Sequence, residues 1–110
     1  MKLTKILKSY FELFSKKDIN KLSVLFSNNI SLQDWTTKIN SKKKVILFNK
    51  KIFKKFKFIK VNLLEIFYNS KNNSYCCKLK IKLNKKEIDV VDLIYFDKKK
   101  KIKKIIAYLG

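Results

Sequence analysis

The chain has 110 residues, 46% of them apolar, with nine Phe, five Tyr and one Trp, a composition that supports one globular core and excludes a disordered polymer. Its net charge of +20 arises from 28 basic residues, every one a lysine, set against eight acids. With no histidine, no proline and Gly110 as the lone glycine, His-based triads, His-ligated zinc, P-loops and dinucleotide fingerprints are all excluded.

Taken in chain order, residues 3 to 16 predict a helix, because Leu3, Ile6, Leu7, Tyr10 and Phe14 recur on one stripe. Asp18 is the expected N-cap of a short second helix burying Ile19, Leu22, Leu25 and Phe26. "NNISLQDW" then reads as a short strand in which Ile30, Leu32 and Asp34 share one side. Ser41 caps a third helix, "KKKVILFNKKIFKKF", with Val45, Phe48, Ile52 and Phe56 on its apolar face. From residue 57 the period changes to two. "KFIKVNLLEIFY" places Ile59, Val61, Leu63 and Phe67 together, and "NSKNN" makes a hairpin turn with Asn72 or Asn73 left-handed in place of glycine. "SYCCKLKIKL" turns Tyr75, Cys77, Leu79, Ile81 and Leu83 one way and its lysines the other. "EIDVVDLIYF" and "KIKKIIAYLG" complete the meander. The expectation is a single α+β domain over 1–110, in the order α-α-β-α-β-β-β-β, with the helices covering one face of a curved sheet.

Lysine shares AT-rich codons with the abundant Ile, Asn and Phe, so coding bias accounts for the charge, whereas a specific nucleic-acid reader is expected to use arginine. No specific nucleic-acid partner is therefore expected. Lysines alone would give only weak, salt-dependent association with polyanions or anionic membranes. Apolar runs are too short for membrane insertion, and "MKLTKILKSYFELF" reads as an amphipathic helix rather than a signal peptide, so a cytoplasmic location is expected. Cys76 and Cys77 are adjacent and would face opposite sides of a strand, which suits neither a metal pair nor an ordinary disulfide. Neither a metal nor a cofactor is expected.

Three polar groups sit on apolar rows: Tyr10 on the first helix, Asp34 in the first strand, and Asp92 among Ile88, Val90, Ile94 and Phe96. Each has an ordinary explanation, as a core tyrosine, a turn acid or a solvated strand acid. Together they suggest a polar floor in an apolar cavity. Burial raises a carboxyl pKa, so one acid could stay protonated as a donor while a better-solvated one serves as base. The other side of the fourth strand carries Val91, Leu93 and Tyr95, an apolar face suited to homodimerisation through the sheet.

The run "YFELFSKKDINKLSVLFSNNISLQDW" and the ending "IDVVDLIYFDKKKKIKKIIAYLG" resemble the ketosteroid isomerase and SnoaL-like family of the nuclear transport factor 2-like superfamily, with its cone-shaped α+β fold. The resemblance implies Asp34 as general base, with Tyr10 and a protonated Asp92 as the oxyanion hole; this pKa division is the known one of ketosteroid isomerase. It also implies cofactor-free isomerase or cyclase chemistry on a small apolar carbonyl compound. The expected pocket lining is Phe14, Phe26, Trp35, Phe56, Val90, Ile94 and Tyr108. Trp35 stands where the isomerases usually have proline, Phe26 where a further tyrosine is usual, and Leu109 where a pocket tryptophan is usual. These departures point to a ligand smaller than a steroid. The alternative is a non-catalytic module of the same fold that binds a small ligand or a protein.

Overall fold

The computed structural model describes residues 3–110. The apolar stripe of Leu3–Ser15 forms helix α1, which buries Ile6, Leu7, Tyr10 and Phe11. Lys17 turns the chain at a φ of 57°, and the Asp18 carboxylate accepts the Lys21 N–H to open α2, Ile19–Val24. Phe26 is buried as expected, but it belongs to the next element. It is the first residue of strand β1, Phe26–Gln33, where it pairs with Ile102 rather than extending the helix.

After β1 the chain folds back at once, so that Lys38–Asn40 pairs antiparallel with Gln33, Leu32 and Ser31 as strand β2. This three-residue strand was not expected, and it changes the order to α-α-β-β-α-β-β-β-β over the described residues. Ser41 accepts the Lys44 N–H and starts α3, Lys42–Lys55, whose buried residues are Val45, Asn49 and Phe53. Four long strands follow: β3, Ile59–Asn69; β4, Ser74–Leu83; β5, Lys86–Phe96; and β6, Ile102–Leu109. Asn73 takes the left-handed conformation at the β3–β4 turn, and Asn84 does so at the β4–β5 turn.

The six strands form one curved sheet in the order β2-β1-β6-β5-β4-β3. Every neighbouring pair is antiparallel except β1 and β6, which run parallel and bring the first strand to the edge of the last. The helices lie on one face, α1 against β3 and α3 against β1 and β2. Leu7, Leu22, Ile30, Val45, Ile94 and Ile102 are fully enclosed between the layers. Each such side chain contributes about 1.5–3 kcal/mol of apolar burial.

One register departs from simple alternation. Leu63 pairs with Leu79 but Glu65 pairs with Lys78, so Leu64 is an extra residue and β3 carries a bulge. Ile59, Val61 and Leu63 face inward before it, and Ile66 does so after it. Phe67, expected on their side, is turned outward and is 57% exposed.

Two lysines serve as structural clasps. Lys17 Nζ donates to the backbone oxygens of Phe56 and Lys57, fastening the end of α3 to the turn between α1 and α2, and Lys101 Nζ donates to the Val24 oxygen at 2.7 Å. No helix among the described residues is long and apolar enough to cross a membrane.

Candidate functional site

Between α1, α3 and the concave face of the sheet lies a cavity of about 240 Å³. Its walls are almost wholly apolar and include Phe11, Phe48, Ile52, Leu79 and Ile81. Tyr10, Asp34, Asn49 and Asp92 are the polar side chains at its surface, each delivered by a different element.

Tyr10 comes from the buried stripe of α1. Its ring packs against Phe11, Phe14 and Phe26, with centroids 5.1, 6.2 and 6.2 Å away, which fixes its direction. Only 5% of the residue is exposed. Burial, then the nearby Asp92, then Cys77 hold the phenol well above its usual pKa, so it remains a neutral donor.

Asp92 lies mid-strand in β5, directly opposite Cys77 on β4 and Ala107 on β6. Neither neighbour offers a strong partner for a carboxylate. Burial alone raises the Asp92 pKa from 3.8 to about 7, so it is a neutral acid below that pH and an anion above it. Cys77 is also buried, and burial followed by Asp92 and Cys76 pushes its thiol up to about 12. It is therefore no nucleophile near neutral pH.

Asp34 immediately follows β1 and continues the inward alternation of Ile30 and Leu32, which brings it to the cavity. It is half-buried and holds a turn. Its Oδ1 accepts the Thr36 N–H at 2.8 Å, the Thr36 hydroxyl at 3.1 Å and the Thr37 N–H at 2.7 Å. Its own N–H donates to the Thr37 oxygen at 2.8 Å. None of these bonds uses Oδ2. The sequence offered Asp34 as either a turn acid or a cavity acid, and its position combines both.

Among the other residues expected to line the cavity, Phe14, Trp35, Phe56 and Val90 border it. Trp35 is 48% exposed, so it sits at the rim and does not fill the interior. Three expected lining residues lie elsewhere. Phe26 and Ile94 point inward but are enclosed by core packing, at 2% and 0% exposure. Tyr108 is turned to the outer face: Ala107 opposes Asp92 and takes the inward position, leaving Tyr108 beside Val91 and 54% exposed.

Asn49 was not anticipated. It is 1% exposed, borders the cavity, and its Nδ2 has no hydrogen-bond partner among the described residues. The sequence did carry a signal, since position 49 falls four residues after Val45 and three before Ile52, within the apolar stripe of α3. Among the described residues no group of three or more acid or thiol side chains is placed to hold a metal ion.

No family model matches this sequence, and no curated protein matches it. Its backbone, however, superposes closely on solved structures. An NTF2-like protein of unknown function from Cytophaga hutchinsonii ATCC 33406 aligns over 100% of this chain and 91% of its own, with a TM-score of 0.84 and 14% identity. The fold is NTF2-like. A SnoaL-like protein of unknown function from Burkholderia thailandensis shares this NTF2-like architecture at a TM-score of 0.86 and 7% identity, covering 97% of this chain and 93% of its own. A candidate ketosteroid isomerase from Kribbella flavida DSM 17836 does so at 0.81 and 8% identity, over 98% of this chain and 77% of its own. At identities this low the superpositions speak for the NTF2-like fold alone.

Proposed function

We propose that the cavity binds a small apolar carbonyl compound and shifts a proton on it without a cofactor. The observation that carries this reading is a neutral tyrosine and a neutral-capable aspartic acid buried together on the floor of an apolar cavity, with a second carboxylate at its edge. In the proposed step, Oδ2 of Asp34 takes a proton from the carbon beside the carbonyl. The C–H electron pair moves into the new C=C bond, and the carbonyl π pair moves to oxygen. Tyr10 and protonated Asp92 donate hydrogen bonds to that oxygen, stabilising charge where it develops. In a β,γ-unsaturated ketone Asp34 then returns the proton to the γ carbon of the dienolate, which completes an isomerisation. In a cyclisation the enolate carbon instead attacks a second carbonyl carbon of the same molecule, whose π pair moves to its oxygen and takes the proton back from Asp34. Room for roughly eight waters at ~30 Å³ each favours one ring or two fused rings over a steroid.

The test is proton exchange in D2O, followed by NMR on a panel of small cyclic ketones and enones. Deuterium should enter beside the carbonyl with wild type and slow by about 10² to 10⁴-fold with Asp34→Asn. Equal exchange by both proteins would refute the base assignment.

A second reading, a non-catalytic binding module, is favoured by the three hydrogen bonds already held by Asp34 Oδ1. It predicts ligand binding that depends on Tyr10 with no exchange at all. For either reading we propose a homodimer. Phe67, Cys76, Leu93 and Ile106 form one cross-strand row on the outer sheet face, flanked by Val91 and Tyr108, an apolar patch suited to a second copy.

A further inference from the structure

Asn49 stands apart from the machinery above. α3 could have carried a leucine at this position and closed the stripe; instead a primary amide is enclosed at 1% exposure, with Nδ2 unpartnered among the described residues. Leaving a buried donor unsatisfied is costly, and native folds rarely retain one without use. The amide borders the same cavity as Tyr10 and Asp92 but enters from α3, which packs on β1 and β2, whereas Tyr10 and Asp92 enter from α1 and β5. A ligand held by one oxygen at Tyr10 and Asp92 therefore meets a second polar point on another wall. The residues on the same helix that also line the cavity, Phe48 and Ile52, are apolar.

We infer that Asn49 is the specificity-determining residue of the cavity, donating to a second oxygen of the ligand, so that the preferred substrates are small cyclic carbonyl compounds bearing a further acceptor oxygen. This rests on the reading of Tyr10 and Asp92 as the site of the first oxygen. A monofunctional ketone of the same size would leave Nδ2 unpaired on binding. A bifunctional one would satisfy it, and sites of this kind discriminate strongly against analogues that lack the matching group.

Trp35, the sole tryptophan and at the rim, supplies an intrinsic fluorescence readout. The probes are 3- and 4-hydroxyacetophenone, whose phenol oxygen takes the place of the enolate oxygen at Tyr10 and Asp92 and whose ketone oxygen is the second acceptor, and 3- and 4-ethylphenol, which keep the shape and the phenol and lose the ketone. The deciding quantity is the ratio of affinities between the matched pairs, compared between wild type and Asn49→Leu, because the differing acidity of the phenols cancels in that comparison. Asn49→Ala is measured alongside as a variant that cannot overfill the site. The expected result is an approximately 10-fold fall in the hydroxyacetophenone preference in both variants for at least one pair, with ethylphenol binding retained. The melting temperature of ligand-free Asn49→Leu should equal or exceed that of wild type, since the unpaired donor is gone. A ratio unchanged in both variants, while Tyr10→Phe still weakens all four probes, would overturn the role of Asn49 and leave the carbonyl site standing. Binding of none of the probes, or binding indifferent to Tyr10→Phe, would overturn the carbonyl site and this inference with it.

Discussion

Replacing Asp34 by asparagine keeps an oxygen where Thr36 and Thr37 donate, whereas alanine removes it. Asp34→Asn should therefore lose exchange activity while keeping stability within about 0.5 kcal/mol, and Asp34→Ala should lose both, with a stability cost of about 1–2 kcal/mol. Urea unfolding of the two variants separates the turn role from the proposed base role. Asp92 gives a prediction in pH. Its folded pKa of about 7 lies above the ordinary 3.8, so the folded state binds the proton more tightly. The associated stability is fully present below pH 3.8 and is lost as pH rises through 7. At about 1.4 kcal/mol per pH unit this amounts to roughly 4 kcal/mol in all. Asp92→Asn, which cannot ionise, should accordingly gain roughly 2–3 kcal/mol on wild type between pH 5 and pH 8, read from unfolding at both pH values. A constant difference would show that Asp92 titrates as in water. At this scale the placement of three side chains was legible: periodicity alone turned Tyr10, Asp34 and Asp92 toward one space, and all three border the cavity. Asn49 was not legible because a single amide within the apolar stripe of α3 leaves the helical period of that stripe unchanged. Tyr108 was misplaced because its row depends on pairing with β5, which no local pattern in β6 reveals.

Helices α1 and α3 were readable from their stripes and from Asp18 and Ser41 as caps, since those signals are local. What the sequence did not disclose depends on partners distant in the chain. The bulge at Leu64 is defined by the count of residues on β4, and it reverses Ile66 and Phe67 relative to a plain two-residue alternation. Strand β2 exists because the Asp34 turn returns three residues to the edge of β1, too short a stretch to show a period. The parallel pairing of β1 with β6 joins residues more than seventy positions apart. The scarcity of glycine leaves its own mark: Lys17, Ser41, Asn73, Asn84 and Lys100 all adopt positive φ. Lys100, at a φ of 64° in the turn held by Asp97, lacks the short polar side chain that eases this conformation for asparagine. Lys100→Gly should therefore stabilise the protein by about 1 kcal/mol in urea unfolding. A loss of stability would mean that the lysine side chain makes a contribution larger than its backbone strain.

For the molecule as a whole, the sheet separates two surfaces. The concave face holds the cavity, and the outer face carries the apolar row centred on Leu93 beside a charged end where Lys80 approaches Asp89 at 3.6 Å. If that row joins two copies, Leu93→Lys should convert a dimer to a monomer in sedimentation velocity while leaving the cavity's ligand affinity within about 2-fold, because Leu93 faces away from Asp92. A wild-type protein that sediments as a monomer at high concentration would end the dimer proposal. The same architecture ties the proposed reaction to the protonation of Asp92. Asp92 can donate to an enolate oxygen only while it keeps its proton, and the wall around it sets that limit near pH 7. The most direct measurement is the pH profile of deuterium exchange into a small cyclic ketone. The rate should fall as pH rises through about 7 in wild type, with the falling limb absent in Asp92→Asn. A wild-type rate that stays level or climbs through pH 7, in step with the variant, would contradict it.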